Sequence, residues 1–332
     1  MLVLKERDVH SLLSNISVSE CHRLLTSLHD ILRTYSSTKN APQSEQMIHQ
    51  PERESIITRV GNTSLFMPSS TTTSTGIKTV TISPKGLKGC INIFAPDGEL
   101  LGVLNAEEVT AFRTSLAVMI PYVRWPNTKS NLVVFGAGRQ AEWHVKLALL
   151  LSDVKHVTVV NRSSPRRMER LFTDLQQKNA DVVCRVLLKT AENFDSQLRE
   201  YLMASDIIFC CTPSVTPLFP FSYLDKKPRF ISLIGSYKPS MQEIDSETLL
   251  SAERIYVDTR EGCLIEAGEL IKANIKGDEL IEIGELQDNE SLETGGSLIF
   301  KCVGMGIMDL VMAGNLLEMA REKGVGLTVD DF

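Results

Sequence analysis

Apolar and polar positions alternate with different periods along this chain. Residues 3–13 and 19–35 carry apolar side chains at helical spacing, the second run placing Leu24, Leu25, Leu28, Ile31 and Leu32 on one side. Ser17-Val18-Ser19-Glu20 predicts a capping box before that second helix. Residues 36–54 are polar and turn-rich, which predicts a surface loop or an approach to a site. Short strand-like segments follow at 56–60, 65–67, 77–82, 90–94 and 100–104, separated by turn residues such as Pro96-Asp97-Gly98. They predict a meandering antiparallel sheet. Asn105 is placed to cap a helix over 106–120 that turns Val109, Phe112 and Leu116 inward, and Pro121 and Pro126 frame a connection onward.

From residue 132 the pattern changes to strands and helices in alternation. Strands are predicted at 132–135, 157–160, 182–188, 206–211, 230–234, 255–257 and 297–303. Helices are predicted at 140–151, at 165–177 with Pro165 in its first turn after Ser164, and at 195–203. Such alternation predicts an α/β fold with a Rossmann-type doubly wound parallel sheet. A long amphipathic helix over 307–323, with Leu310, Ala313, Leu317 and Ala320 on one side, comes after that sheet is complete. It is therefore expected to return to the first domain. The expected domains are 1–125 completed by 304–332, and 126–303.

The chemistry gathers first at the end of the 132–135 strand. Gly136, Ala137, Gly138, Arg139, Gln140 and Ala141 form G-x-G-x-x-A. Gly136 suits the tight bend, Gly138 lets backbone approach a pyrophosphate, and Ala141 lets the helix pack close to its strand. The helix N-terminus would face the phosphates with its N–H groups and positive dipole end. The alternative is a tight turn in a ligand-free α/β fold. The next strand ends in Asn161, Arg162 and Ser163, where NAD-specific proteins carry an acidic residue. Arg162 can grip a 2′-phosphate that a carboxylate would repel, and Arg166 and Arg167 lie nearby in sequence. NADP(H) is therefore expected in preference to NAD(H); the alternative is a solvated arginine in a polar turn.

Composition narrows the partners. The 332 residues, 23% of them charged and 43% hydrophobic, suit an ordinary two-domain protein. A net charge of −6 offers no global field for nucleic acid or an acidic membrane, so any anion must be held by a local cluster. The seven cysteines form no C-x-x-C pair and no His stands at metal-ligand spacing, so no metal is expected and the thiols read as those of a reducing compartment. No secretory leader and no membrane-spanning run is read, and a cytosolic protein is expected.

Taken in order, several pieces resemble the ornithine cyclodeaminase and mu-crystallin family. They are Phe66-Met67-Pro68, Gly76-Ile77-Lys78, Val109-Thr110-Ala111-Phe112-Arg113-Thr114, the glycine turn, Thr212-Pro213-Ser214, and Lys301-Cys302-Val303-Gly304 leading to Asp309-Leu310. The resemblance covers nearly the whole chain. It implies a homodimer whose N-terminal α+β domain, with the C-terminal helix, supplies the dimer contact and the substrate site, the nicotinamide lying in the cleft beside the dinucleotide domain. It also implies that Arg53, Lys78 and Arg113 hold the carboxylate of a small imino or amino acid, and that Thr212, Ile234 and Gly235 join the cofactor contacts. Two guanidinium forks and an ammonium suit that task, and Lys78 could pass a proton to the substrate nitrogen. For each cation the alternative is solvation or a structural ion pair.

One departure bears on the reaction. Cyclodeaminases and alanine dehydrogenases of the family carry a carboxylate in a motif like G-x-D-x-P-G-x-x-E, whereas this chain reads Gly235-Ser236-Tyr237-Lys238-Pro239-Ser240-Met241-Gln242-Glu243. A phenol is neutral at working pH and cannot take a proton from an amine as a carboxylate does. The family's ketimine reductases also lack that aspartate, and reducing a preformed C=N bond needs hydride and one proton only. The expected activity is thus NADPH-dependent reduction of a small, cyclic α-imino acid. Two alternatives stand: an ornithine cyclodeaminase or amino-acid dehydrogenase, and an NADPH-gated binding protein without turnover. The hydroxyl residue the family often carries near residues 90–92 has no certain counterpart.

Overall fold

In the computed structural model the chain divides into two compact units, Met1–Thr114 with Gly304–Phe332, and Ser115–Val303. The structure describes residues 1–163, 168–169, 172–173, 181–288, 290–293 and 295–330.

The first unit opens with a strand, β1 (Leu2–Leu4), and helix α1 begins only at Glu6 (Glu6–Ser14), so the helix expected from residue 3 is corrected. Leu2 and Leu4 are buried and Val3 is less so, a period of two that three residues cannot separate from a helical start. Helix α2 (Val18–Thr38) has the capping box at its start. Ser17 Oγ accepts the Glu20 N–H at 3.2 Å, and Glu20 Oε2 accepts the Ser17 N–H at 2.9 Å.

The polar stretch after α2 contains β2 (Ile48–His49), and then come β3 (Glu54–Ile57), β4 (Thr63–Thr71), β5 (Thr75–Ser83), β6 (Gly86–Phe94) and β7 (Leu100–Asn105). Strands β4 to β7 pair antiparallel in sequence order, as the turn spacing predicted, and β1 joins the sheet parallel to β7. The C-terminal helix (Gly306–Lys323) packs on α2 and on β4, β5 and β6. Its first five residues are all buried, as are Met312, Ala313, Leu316, Leu317, Met319 and Ala320, so it is apolar on most sides and not amphipathic. Its close approach explains Gly76, where a Cβ would lie 2.7 Å from Leu310 Cδ1. Because side chains alternate along β5, Gly76, Lys78 and Val80 share the buried face.

Asn105 Oδ1 accepts the Glu107 N–H at 3.1 Å at the start of α3 (Ala106–Arg124). Pro121 lies inside this helix and not in the connection after it. Burial outweighs the proline: Tyr122 and Trp125 are completely enclosed, with the Tyr122 ring 5.3 Å from that of Phe230.

In the second unit, β8 (Asn131–Phe135) leads into α4 (Arg139–Leu151), followed by β9 (His156–Asn161), β10 (Val183–Leu188), β11 (Ile207–Cys210), β12 (Phe230–Leu233), β13 (Ala252–Val257), β14 (Leu280–Glu282) and β15 (Ser297–Lys301). These pair in parallel in the order 10-9-8-11-12-15-13-14. The doubly wound sheet expected from the alternation is therefore present. Strand β14, only three residues long, was not predicted. The order reverses between β8 and β11, and ligands of such sheets bind beyond the carboxyl ends of the strands at this switch point. Most of the helix predicted over 165–177 lies outside the described residues, as do Arg166 and Arg167. No helix among the described residues is long and apolar enough to cross a membrane.

Candidate active site

The glycine turn has the shape its sequence implies. Gly136 adopts φ +106° and donates its N–H to Val160 O at 2.9 Å. A Cβ there would lie 2.8 Å from Thr212 Oγ1, so both backbone and space select glycine. Gly138 precedes α4 with no side-chain cap, and a Cβ at this position would have nothing within 4 Å. Ala141 is fully buried against the sheet, while Ala137, Arg139 and Gln140 are half-buried. An uncapped helix start beside an open glycine backbone is a fit for a pyrophosphate.

Asn161, Arg162 and Ser163 follow at the end of β9. Asn161 and Arg162, though not Ser163, line a cavity of about 370 Å³ whose lining also includes Lys189, Phe194, Thr212 and Val215. Lys189 comes there because β10 pairs in register with β9, its N–H donating to Asn161 O at 2.9 Å. It had no signal in the sequence: a lysine just past an isolated strand reads as a solvated turn.

Thr212 and Gly235 stand past the ends of β11 and β12, and Ile234 N–H donates to Cys210 O at 3.0 Å between them. Glu243 joins the two turns, accepting the Thr212 N–H at 2.9 Å and the Gly235 N–H at 2.7 Å. Ser236 Oγ donates to Glu269 at 2.6 Å, and Lys301 Nζ donates to Ser236 O at 2.6 Å while standing 3.2 Å from Glu269 Oε1. Burial first of all, and Glu269 beside it, push the Glu243 carboxyl up to about 8 against the pull of Lys301 and the two N–H donors. Burial disfavours the Lys301 ammonium, but Glu269 and Glu243 outweigh it and hold the lysine above its ordinary value. Tyr237 is half-buried with the Lys238 ammonium 5.5 Å from its ring centre.

In the first unit two of the three predicted cations, Lys78 and Arg113, meet a carboxylate that was not nominated. Lys78 Nζ donates to Asp309 Oδ2 at 2.6 Å, and Arg113 Nε donates to Asp309 Oδ1 at 3.0 Å. All three side chains are buried. Gly304, at φ +87°, lies flat against the guanidinium, where a Cβ would be 2.8 Å from Arg113 Nη2. Burial lowers the Lys78 ammonium to about 8, with Arg113 and Arg53 pushing the same way and Asp309 opposing. Arg53 is thus within electrostatic reach of Lys78, and its side chain is half-buried. The signal for Asp309 was available: a lone acid among Ile307, Met308, Leu310 and Met312 must find a cation when its helix is buried.

The profile of the ornithine cyclodeaminase/mu-crystallin family matches residues 9–324. The chain is 30% identical over 291 positions to a Delta(1)-pyrroline-2-carboxylate reductase of Bacillus cereus, covering 81% of this chain and 85% of that one. It is 28% identical over 226 positions to the ketimine reductase mu-crystallin of Rattus norvegicus, covering 67% of this chain and 66% of that one. Among solved structures, the Delta(1)-pyrroline-2-carboxylate reductase of Thermococcus litoralis in complex with NADH and L-proline superposes with a TM-score of 0.80 at 22% identity, over 99% of this chain and 100% of that one.

Proposed function

The chain belongs to the ornithine cyclodeaminase/mu-crystallin family, and we propose that within it this protein is an NADPH-dependent reductase of a small, cyclic α-imino acid. Relatives named as pyrroline-2-carboxylate and ketimine reductases support the reaction class. The observation that carries the reading is the pair of buried cations, Lys78 and Arg113, fixed on one carboxylate, Asp309. Two cations kept from water are an expensive arrangement that a fold does not need, whereas an anionic substrate gives it a use.

The reduced nicotinamide, when bound, supplies hydride to the imine carbon. Arg113 and Arg53 bind and orient the substrate carboxylate, and Lys78, lowered to about 8, gives a proton to the nitrogen as the carbon is reduced. Tyr237 leaves that position without a carboxylate to deprotonate a second amine, which favours reduction over cyclisation of a diamino acid. Gly136, Ala137, Gly138, Arg139, Gln140 and Ala141 receive the pyrophosphate, and Thr212, Ile234 and Gly235 the nicotinamide half. Asn161, Arg162 and Ser163, with Lys189 as a second cation, hold the adenosine 2′-phosphate. The substrate and dimerisation role belongs to the first unit and cofactor binding to the second. A homodimer is the assembled form; Ile56 and Ile57, 56% and 74% exposed on β3, suit a contact between copies. The seven free thiols suit the cytosol.

NADPH oxidation is the test, over pyrroline-2-carboxylate, piperideine-2-carboxylate and pyruvate with methylamine, with ornithine plus NAD as the contrary control. Turnover of a cyclic ketimine is expected; release of ammonia from ornithine instead would contradict the reading. Arg162→Asp should reverse the preference for NADPH over NADH, and an unchanged ratio of kcat/KM values would remove Arg162 from the 2′-phosphate site.

A further inference from the structure

The turns that follow β11 and β12 touch, and a single side chain engages both. Glu243 is wholly buried, and each of its carboxyl oxygens accepts one main-chain N–H, Oε1 from Thr212 and Oε2 from Gly235. Main chain reinforces the junction: Leu218 N–H donates to Glu243 O at 2.8 Å, and Gln242 N–H donates to Ser214 O at 2.9 Å. Gly235 leaves no slack, since a Cβ would stand 2.3 Å from Thr212 O and 2.5 Å from Glu243 Oε1. Thr212 in turn presses its Oγ1 against Gly136. Three turns, at the carboxyl ends of β8, β11 and β12, are therefore stacked side by side. Behind them, Ser236, Glu269 and Lys301 form a second buried network under the same turn.

Such an arrangement exceeds what the sheet requires. A serine or a water molecule can satisfy a turn N–H, and burying a carboxyl to do so carries a desolvation cost. What one carboxyl adds is a fixed distance between two backbones. We propose that Glu243 is a positioning residue of the reductase, locking turn 212 against turn 235 so that the seat of the nicotinamide half is set before the cofactor arrives. The proposal rests on the dinucleotide reading of this site. The adenosine half depends on Asn161, Arg162 and Lys189, at the ends of β9 and β10 on the other side of β8 in the sheet order. The two halves of the cofactor should therefore respond differently when Glu243 is changed.

Glu243→Gln keeps the shape but offers an acceptor to only one of the two N–H groups. Affinity of the purified protein for NADPH and for adenosine 2′,5′-bisphosphate is measured by calorimetry, with kcat alongside. The expected result is NADPH binding weakened tenfold or more and a lower kcat, with the bisphosphate bound within twofold of wild type. Wild-type values for both NADPH affinity and kcat would overturn the proposal. Equal weakening of both ligands would also overturn it, by making Glu243 a support of the fold as a whole. Wild-type protein that binds neither ligand would strike down the dinucleotide reading and the clamp with it. Hydrogen exchange of the unmutated protein tests the clamp without any variant. Thr212 and Gly235 amides should exchange as slowly as those of β11, and exchange within seconds, as in a solvated turn, would overturn it.

Discussion

Asp309 is the residue on which the buried cation cluster turns, because Lys78 and Arg113 both bond its carboxylate. Asp309→Asn keeps the volume and withdraws the charge, leaving two buried cations without it. Removing one partner of a buried ion pair costs about 3–5 kcal/mol. The urea midpoint of the variant should drop accordingly, and a wild-type midpoint would show that the cluster is not built as described. In the proposed reaction Lys78 sets the pH dependence. Its ammonium is lowered to about 8, so the charged form, the proton donor of the proposed reaction, is present below that pH and lost above it. The logarithm of kcat/KM for the imino acid should therefore fall as pH rises past about 8, in keeping with that lowered value. In Lys78→Arg the guanidinium stays charged, and that limb should vanish; a limb that persists unchanged would belong to the substrate and not to Lys78.

Among the elements, the long helices and the parallel strands were legible because each repeats its pattern often enough to be read. Helix α2 shows this at its start, where Ser17 and Glu20 exchange hydrogen bonds as their spacing predicts. Ser17→Ala should lower stability by about 1 kcal/mol, measured as a shift in thermal midpoint, with no change in cofactor affinity. No shift would mean that the capping box adds nothing here. Leu2–Leu4 and Leu280–Glu282 were missed or misassigned because three residues do not establish a period, and Pro121 was read as a breaker because the rings that bury Tyr122 come from distant strands. The geometry of the candidate site was legible where the pattern is local, as in the bend at Gly136. It was not legible where partners meet across the fold. Glu243 and Lys301, or Lys78 and Asp309, are 58 and 231 positions apart, and only sheet register and helix packing bring them together.

On the scale of the whole molecule, the two units are built on sheets of different construction. A mixed sheet with a meander at its centre, covered by the C-terminal helix, holds the cation cluster, and a parallel sheet with its switch point at β8 and β11 holds the dinucleotide turn. In the proposed reaction hydride passes from the reduced nicotinamide to a C=N carbon. The most direct measurement uses NADPH labelled with deuterium at each face of C4 in turn, with pyrroline-2-carboxylate, and mass spectrometry of the product. The expected product is proline carrying one deuterium at the α-carbon from one labelled face and none from the other. Unlabelled proline from both, or NADPH bound but never oxidised, would contradict it.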